Sequence, residues 1–254
     1  MSGARVEWYP AARALGPGTR AAVEDACALL AEGGDLAASS GAQPRGITRV
    51  DADGVDVALK LGRRRGARGA RLRLGLAPRR SARAAALGVA FHDAGVPTPA
   101  IFASRVAAAP PSDVLVMEFV DGVSFDEVVE AGSAGLPLLE MAAAVVHCLH
   151  DAGFAHRDLK ASNLLLGSDG LLRVIDLDGA RRVSRGPSLA RRARDLARLA
   201  ASVEVLGGDA AALVRSYADA AGLSGARRER LTAAVAAAVA RKRERNQRRG
   251  RPLR

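Results

Sequence analysis

The sequence predicts an α+β fold of two lobes, in which a small antiparallel β lobe is followed by a mainly helical lobe. Period-2 alternation of apolar residues and nearby turn signals predict strands in the first half. Helical periodicity dominates the second half. We place the boundary after residue 118, so that residues 1–118 form the N-terminal lobe and residues 119–254 the C-terminal lobe. A chain of 254 residues can bury a sizeable core in this arrangement.

The N-terminal lobe is predicted to contain two helices and four strands. Thr19 is the expected N-cap of the first helix, and Gly33-Gly34 its stop. A turn at Asp51-Ala52-Asp53-Gly54 joins two strands with alternating apolar residues, which predicts a hairpin. In chain order the elements are a helix over 19–32, the hairpin over 46–61, a helix over 81–94, and strands over 101–106 and 114–120.

The C-terminal lobe is predicted to begin with an apolar helix that ends at Gly153. A polar loop and two short strands follow, joined by a turn at Ser168-Asp169-Gly170. The remainder has helical periodicity. In chain order the elements are a helix over 138–151, strands over 163–166 and 172–175, and helices over 187–206, 209–221 and 225–245.

The formal net charge of +11 is concentrated in two segments. Residues 63–83 carry nine arginines and no acid, and residues 241–254 carry eight basic residues and one acid. This local basicity indicates an anionic partner, such as nucleic acid, acidic lipid headgroups or a phosphorylated glycan. The alternative is solvated arginine on exposed faces. Since only 3% of the residues are aromatic, few rings could stack on bases, which disfavours nucleic acid.

The two cysteines, Cys27 and Cys148, are far apart and have no metal-ligand spacing. This usage is typical of a reducing compartment. Neither a signal peptide nor an apolar run long enough to span a bilayer is visible. We therefore expect a cytoplasmic protein.

The segment 156–163 (His-Arg-Asp-Leu-Lys-Ala-Ser-Asn) has the order and spacing of a protein-kinase catalytic loop. Phosphoryl transfer from ATP requires positioning of the reactants, metal ions on the phosphates and a group that orients the attacking hydroxyl. Asp158 is the expected catalytic base. Asn163 and Asp176 are the expected Mg²⁺ ligands, because Mg²⁺ prefers hard oxygen donors. The opposing interpretation is a polar turn between a helix and a strand.

Two neighbours of this loop and one distant aspartate are further candidates. Lys160 would act as a point charge on the transferring phosphate. Leu165 alternates onto the side of its strand where a nucleotide base would rest. Asp195, in Arg194-Asp195-Leu196-Ala197, is either the buried aspartate that braces the catalytic loop or an ordinary surface acid of a helix.

The upstream segment 57–60 (Val-Ala-Leu-Lys) is similar to the kinase strand whose lysine binds the α- and β-phosphates of ATP. Lys60 is accordingly the candidate for this contact. The strand over 114–120 has the place of the hinge. Met117 would be the gatekeeper, and backbone groups of Glu118 and Val120 would face the adenine.

The sequence departs from the kinase pattern around the lysine strand. Between Lys60 and His92 there is no acidic residue, so the helix in between cannot supply a glutamate partner for Lys60. Asp93, or Glu24 or Asp25 of the first helix, would have to replace it, unless the phosphates alone hold the lysine. No Gly-x-Gly-x-x-Gly motif precedes the strand either, and Gly46 is the nearest substitute for backbone approach to the phosphates.

A third departure concerns the acceptor. Only about ten residues separate Asp178 from the next predicted helix, and no Ala-Pro-Glu segment follows. A peptide-binding activation segment has no room there. The acceptor is therefore expected not to be a protein, and switching by loop phosphorylation is not expected.

Taken together, the chain from about Val50 onward resembles the lipopolysaccharide kinase family, the Kdo and heptose kinases, which have a protein-kinase-like fold. The resemblance rests on the Leu-Lys strand, residues 95–99 (Gly-Val-Pro-Thr-Pro), the catalytic loop, residues 175–178 (Ile-Asp-Leu-Asp), residues 194–197 and the basic tail. It implies an ATP- and Mg²⁺-dependent kinase that phosphorylates a sugar hydroxyl of a glycolipid at the inner membrane face. The basic segments would then meet anionic groups of the glycolipid or membrane. The alternatives are a protein kinase, or a pseudokinase that binds through its basic segments.

Overall fold

A computed structural model describes residues 6–31, 47–52, 55–63, 80–107 and 112–250. The chain forms two compact units. The first comprises Met1–Ala90 and Pro99–Val120, and the second comprises Phe91–Thr98 and Asp121–Arg254.

The first unit is built on a five-stranded antiparallel sheet with the strand order β1-β4-β5-β3-β2. Among the described residues of this unit, a 3₁₀ turn and two helices accompany the sheet. The elements are β1 (Glu7–Trp8), the 3₁₀ turn (Pro10–Ala14), α1 (Pro17–Ala31), β2 (Ile47–Ala52), β3 (Val55–Arg63), α2 (Arg80–Asp93), β4 (Ile101–Ala107) and β5 (Ser112–Glu118).

Apolar side chains project from both faces of this sheet. On one face Val23 and Cys27 of α1 pack with Leu59 and Val116. On the other face Leu115 packs with Ala85 of α2. Leu115 and Val116 are neighbours in β5 and therefore point to opposite sides, since side chains alternate along a strand. The sheet thus has a helix on each face, which accounts for the apolar residues at successive positions of its central strands.

The second unit contains five helices and two small antiparallel sheets, β6-β8-β9 and β7-β10. Helix α4 packs on α6, and α5 packs on α7. The elements are β6 (Gly122–Ser124), α3 (Phe125–Glu130), α4 (Leu136–Asp151), β7 (Phe154–His156), a 3₁₀ turn (Ala161–Asn163), β8 (Leu164–Gly167), β9 (Leu172–Val174), a 3₁₀ turn (Leu177–Gly179), β10 (Ala180–Arg182), α5 (Leu189–Val205), α6 (Ala210–Ala220) and α7 (Gly225–Arg248).

The predicted α+β class is confirmed, as are the hairpin and the longer helices and strands. The prediction of Thr19 as an N-cap is wrong. Helix α1 begins two residues earlier, at Pro17, and Thr19 is buried within it. Proline is favoured at the first helical position because its missing N–H would have no partner there. Among the described residues, no helix combines the length and the hydropathy needed to cross a bilayer.

Candidate active site

The predicted catalytic loop lies between β7 and β8 and is ordered by its own backbone. The Leu159 N–H donates to the His156 carbonyl at 3.2 Å, and the Asn163 N–H donates to the Lys160 carbonyl at 3.0 Å. A third bond at 3.0 Å runs from the Arg157 N–H to the Gly179 carbonyl. The loop is therefore held to itself and to the segment that follows Asp176.

The side chains predicted for catalysis and metal binding differ in exposure. Asp158 is exposed and Lys160 is half-buried, so both can meet a ligand, whereas Asn163 is buried. The Asn163 Nδ2 donates to the Asp158 carbonyl oxygen at 2.7 Å. With its amide nitrogen used in this bond, Asn163 keeps its Oδ1 as an acceptor. This amide oxygen is the kind of ligand that a hard cation such as Mg²⁺ prefers.

Asp176 has a left-handed backbone conformation, with φ 58° and ψ 63°. Among the described residues it is the sole non-glycine residue with positive φ. Such a conformation costs of order 1 kcal/mol and persists where surrounding contacts enforce it. Here the Asp176 carbonyl bonds to His156 Nε2 at 3.1 Å, and the Ile175 N–H donates to the Asn163 carbonyl at 2.9 Å. The two predicted Mg²⁺ ligands are thereby tied together through backbone.

His156 connects the catalytic loop to Asp176. The imidazole is fully buried, and burial lowers its pKa although the Asp176 carbonyl raises it in part. The ring is therefore neutral near pH 7. Its Nδ1 has no hydrogen-bond partner among the described residues, so Nε2 carries the proton and donates to Asp176.

Asp195 braces the catalytic loop from α5, as one of the two sequence interpretations predicted. Its carboxylate is buried and accepts the His156 N–H at 2.9 Å. The same oxygen lies 3.4 Å from His150 Nε2, and His150 Nδ1 lies 2.8 Å from the Tyr217 hydroxyl. Nearby, Ser202 Oγ accepts the Ala161 N–H at 2.9 Å. Helix α5 therefore fixes the loop at both ends.

Gly179 is a site residue that the sequence reasoning missed. A Cβ at this position would lie 2.9 Å from His156 Cε1 and 3.3 Å from the Asp158 Cβ. Only glycine allows the chain after Asp176 to pass this closely behind the catalytic loop. Its place directly after Asp176-Leu177-Asp178 was the available signal.

Replacing Gly179 by alanine is expected to lower phosphotransfer about 10²-fold, because the added methyl displaces His156 and Asp158 and small misplacements are costly in catalysis. Steady-state turnover at saturating Mg-ATP measures the effect. Gly16→Ala is the control, since a Cβ there meets no atom within 4 Å. Equal turnover for Gly179→Ala and Gly16→Ala would contradict this role.

In the first unit, Lys60 shares a sheet face with the predicted gatekeeper. Lys60 pairs with Leu115 and Ala58 pairs with Met117 across β3 and β5. Directly paired residues point to the same face, so all four side chains lie on the α2 side. Met117 packs at the edge of the cluster formed by α2 and Leu115.

The backbone of Glu118 is partly engaged. Its N–H donates to the Ala100 carbonyl at 2.8 Å, and its side chain accepts the Ala100 N–H at 3.0 Å. The Glu118 carbonyl oxygen takes no part in these two hydrogen bonds with Ala100. It is therefore the backbone group of Glu118 that we expect to face adenine. Val120 follows two residues later and is half-buried.

The remaining predicted residues are placed as follows. Leu165 is half-buried in β8, opposite Arg173 of β9. Glu24, one candidate partner for Lys60, accepts from Trp8 Nε1 at 3.2 Å. Gly46 lies outside the described residues.

The donor set suits a magnesium–nucleotide complex better than a free metal. Within the described part of the chain, no group of three or more His, Cys, Asp or Glu side chains forms a metal cluster. Mg²⁺ commonly uses one or two protein carboxylates or amides together with substrate phosphates and water. Asn163 and Asp176 would supply the protein oxygens, and the ion would neutralise charge on the phosphates.

Comparison with known proteins agrees with this geometry. Residues 101–205 match the protein kinase domain family model. The chain is 40% identical over 80 residues to cyclin-dependent kinase F-1 of Oryza sativa, which covers 27% of this chain and 16% of the relative. It is 35% identical over 86 residues to the serine/threonine-protein kinase pkn2 of Myxococcus xanthus, a match that covers 28% of this chain and 10% of the relative. It is 40% identical over 78 residues to the CBL-interacting serine/threonine-protein kinase 24 of Arabidopsis thaliana, a match that covers 28% of this chain and 17% of the relative.

The fold is therefore protein-kinase-like. The chain spans less than a fifth of the length of these curated relatives. The lipopolysaccharide kinase subtype finds no counterpart in these matches, which are to protein kinases.

Proposed function

We propose that the protein is a kinase that transfers the γ-phosphate of ATP to an alcohol group. Asp158 orients and deprotonates the acceptor hydroxyl, and Lys160 steadies the transferring phosphate. Asn163 and Asp176 hold the magnesium. The bracing of this loop by Asp195 carries the proposal, because a buried carboxylate fixes the backbone two residues before Asp158.

The nucleotide roles assigned to the first unit belong to the same proposal. Lys60 contacts the α- and β-phosphates, the group to which the sequence also assigned Gly46. The Glu118 carbonyl and the Val120 backbone bind adenine beside Met117. Leu165 keeps the role that the sequence assigned to it, a contact with the base.

The acceptor that we propose is a sugar hydroxyl, in a glycolipid of the lipopolysaccharide-core type. Support comes from the segment 179–188, which is short and tied down. It begins as β10, paired with β7, and its Val183 N–H donates to the Gly153 carbonyl at 2.8 Å. Helix α5 starts directly afterwards, at Leu189. This path leaves little chain to form a docking surface for an extended peptide.

The basic end of the chain supports a location at an anionic surface. Helix α7 carries exposed basic side chains over its last two turns. Lysine and arginine near an anionic membrane each add about 1 kcal/mol of attraction. A cytoplasmic protein in peripheral contact with the inner face of the membrane would meet a glycolipid acceptor there.

A serine/threonine protein kinase is the second candidate, and the comparisons favour it over the sugar kinase. All the relatives named above are protein kinases. Under this candidate the same loop residues keep their roles, and the hydroxyl belongs to a protein side chain.

The deciding experiment is a transfer assay with labelled ATP and a panel of acceptors. The panel contains simple sugars, lipid-linked core glycans and generic protein substrates, each incubated with the purified full chain and Mg²⁺. We expect label in the glycans. Label in the proteins alone would establish the second candidate. No transfer and no thermal shift at saturating Mg-ATP would contradict the kinase function and leave a binding module.

A further inference from the structure

The C-terminal helix α7 carries a half-buried lysine, Lys242, on the face that continues its apolar stripe. Its inward stripe is apolar at Leu231 and Val235, both of which are buried. At helical spacing the stripe continues to Lys242, which is half-buried whereas the adjacent Arg241 and Arg243 are exposed. The inward face of α7 therefore changes from apolar to cationic toward its end.

The helix against which α7 packs also carries the residues that hold the catalytic loop. Helix α7 packs along α5, which also holds the catalytic loop through Asp195 and Ser202. Lys242 lies within electrostatic reach of Asp158 and Lys160 of that loop, and of Arg198 of α5. The protein kinase domain match ends at residue 205, so α7 lies beyond it.

The charges around Lys242 do not balance. Burial lowers the pKa of Lys242, and Arg198, Arg245 and Lys160 lower it further, whereas Asp158 is the group that raises it. Arg198 is paired with the buried Asp195 carboxylate at 3.6 Å, whereas Lys242 and Lys160 form no ion pair among the described residues. A bound anion would be attracted by the charges of both lysines.

The cations next to Lys242 on α7 are stabilised in ways that Lys242 does not share. Arg245 and Arg248 lie in the last turn of α7, where basic side chains interact favourably with the helix dipole. Arg243 pairs with Glu204 at 2.5 Å. Lys242 lies one turn earlier and on the inward face. Neither the helix dipole nor an ion pair with Glu204 therefore stabilises its positive charge.

We propose that Lys242 forms a subsite that binds an anionic group of the acceptor, a phosphate or a carboxylate, next to the hydroxyl that Asp158 activates. The inference rests on the proposed kinase function. It makes the acceptor an anionic molecule and gives α7 a part in its recognition. Lys160 remains assigned to the phosphate that is transferred.

Inorganic phosphate titrated into the full chain at low ionic strength tests the subsite. The titration is done with a saturating non-hydrolysable Mg-ATP analogue, so that the nucleotide site is filled. We expect Lys242→Ala to weaken phosphate binding about tenfold, because a charge-assisted hydrogen bond is lost. Lys242→Arg should retain affinity within about threefold. Arg230→Ala, which removes the same charge from the exposed face of α7, should leave it unchanged.

Parallel titrations with a sugar phosphate and a uronic acid distinguish phosphate from carboxylate as the preferred group. Equal weakening in Lys242→Ala and Arg230→Ala would overturn the subsite, since it would reveal only a general positive field. So would phosphate binding that the analogue abolishes, because Lys242 would then serve the nucleotide. If the analogue itself does not bind, the kinase function fails, while the phosphate titration of the same variants without analogue still decides the subsite.

Discussion

Replacing Asp158 by alanine is expected to reduce phosphotransfer by about 10³-fold, the contribution that a positioned general base typically makes. Asp158 is exposed, so its side chain contributes little to packing. The free energy of unfolding should therefore change by less than about 0.5 kcal/mol. Single-turnover transfer of labelled phosphate measures the first quantity, and urea denaturation measures the second.

Glu140→Ala provides the matched control for this prediction. Glu140 is an exposed carboxylate on α4 of the same unit and has no assigned role. It should keep wild-type activity and stability. Retention of more than a tenth of the activity in Asp158→Ala would show that another group activates the acceptor.

Replacing Asp195 by alanine is expected to lower the free energy of unfolding by about 3 kcal/mol. The substitution leaves the His156 N–H and the His150 imidazole, both fully buried, without their carboxylate partner. Unsatisfied buried donors are costly because water no longer solvates them. Activity should fall as well, since the loop that carries Asp158 loses its attachment to α5.

Two variants separate the bracing role from a general charge effect. Asp195→Asn keeps an oxygen that can accept the His156 N–H, and should cost about 1 kcal/mol. Asp219→Ala removes an exposed carboxylate paired with Arg228 at 2.6 Å, and should cost less than about 1 kcal/mol. If urea denaturation gave the same stability for Asp195→Ala and Asp219→Ala, the buried network would not support the loop.

The sequence predicted the elements whose formation is local. The hairpin around β2 and β3 follows from alternation and turn residues, and the long helices α4 to α7 follow from their periodicity. Some of the short strands were missed. The two residues of β1 exist because they pair with β4, and β7 exists because it pairs with β10. Such pairings depend on distant chain, which no local pattern records.

The candidate site likewise contains residues that the sequence revealed and residues that it did not. The catalytic loop was visible because Asp158, Asn163 and Asp176 occur at fixed spacing. Gly179 and Lys242 were not visible, because their importance arises from what lies next to them in space. A glycine is needed where His156 stands 2.9 Å from the missing Cβ. Lys242 stood in the sequence as one of many basic residues in the tail, and only the packing of α7 on α5 distinguishes it.

The short path from Asp176 to α5 has a consequence for how the protein becomes active. The loop formed by residues 179–188 is brief, so closing it costs little chain entropy once β10 pairs with β7. Asp195 docks against the catalytic loop from the helix that follows immediately. Formation of β10 and docking of α5 would then bring the proposed catalytic groups of the second unit into place. We propose that the kinase needs no phosphorylation of this loop to become active.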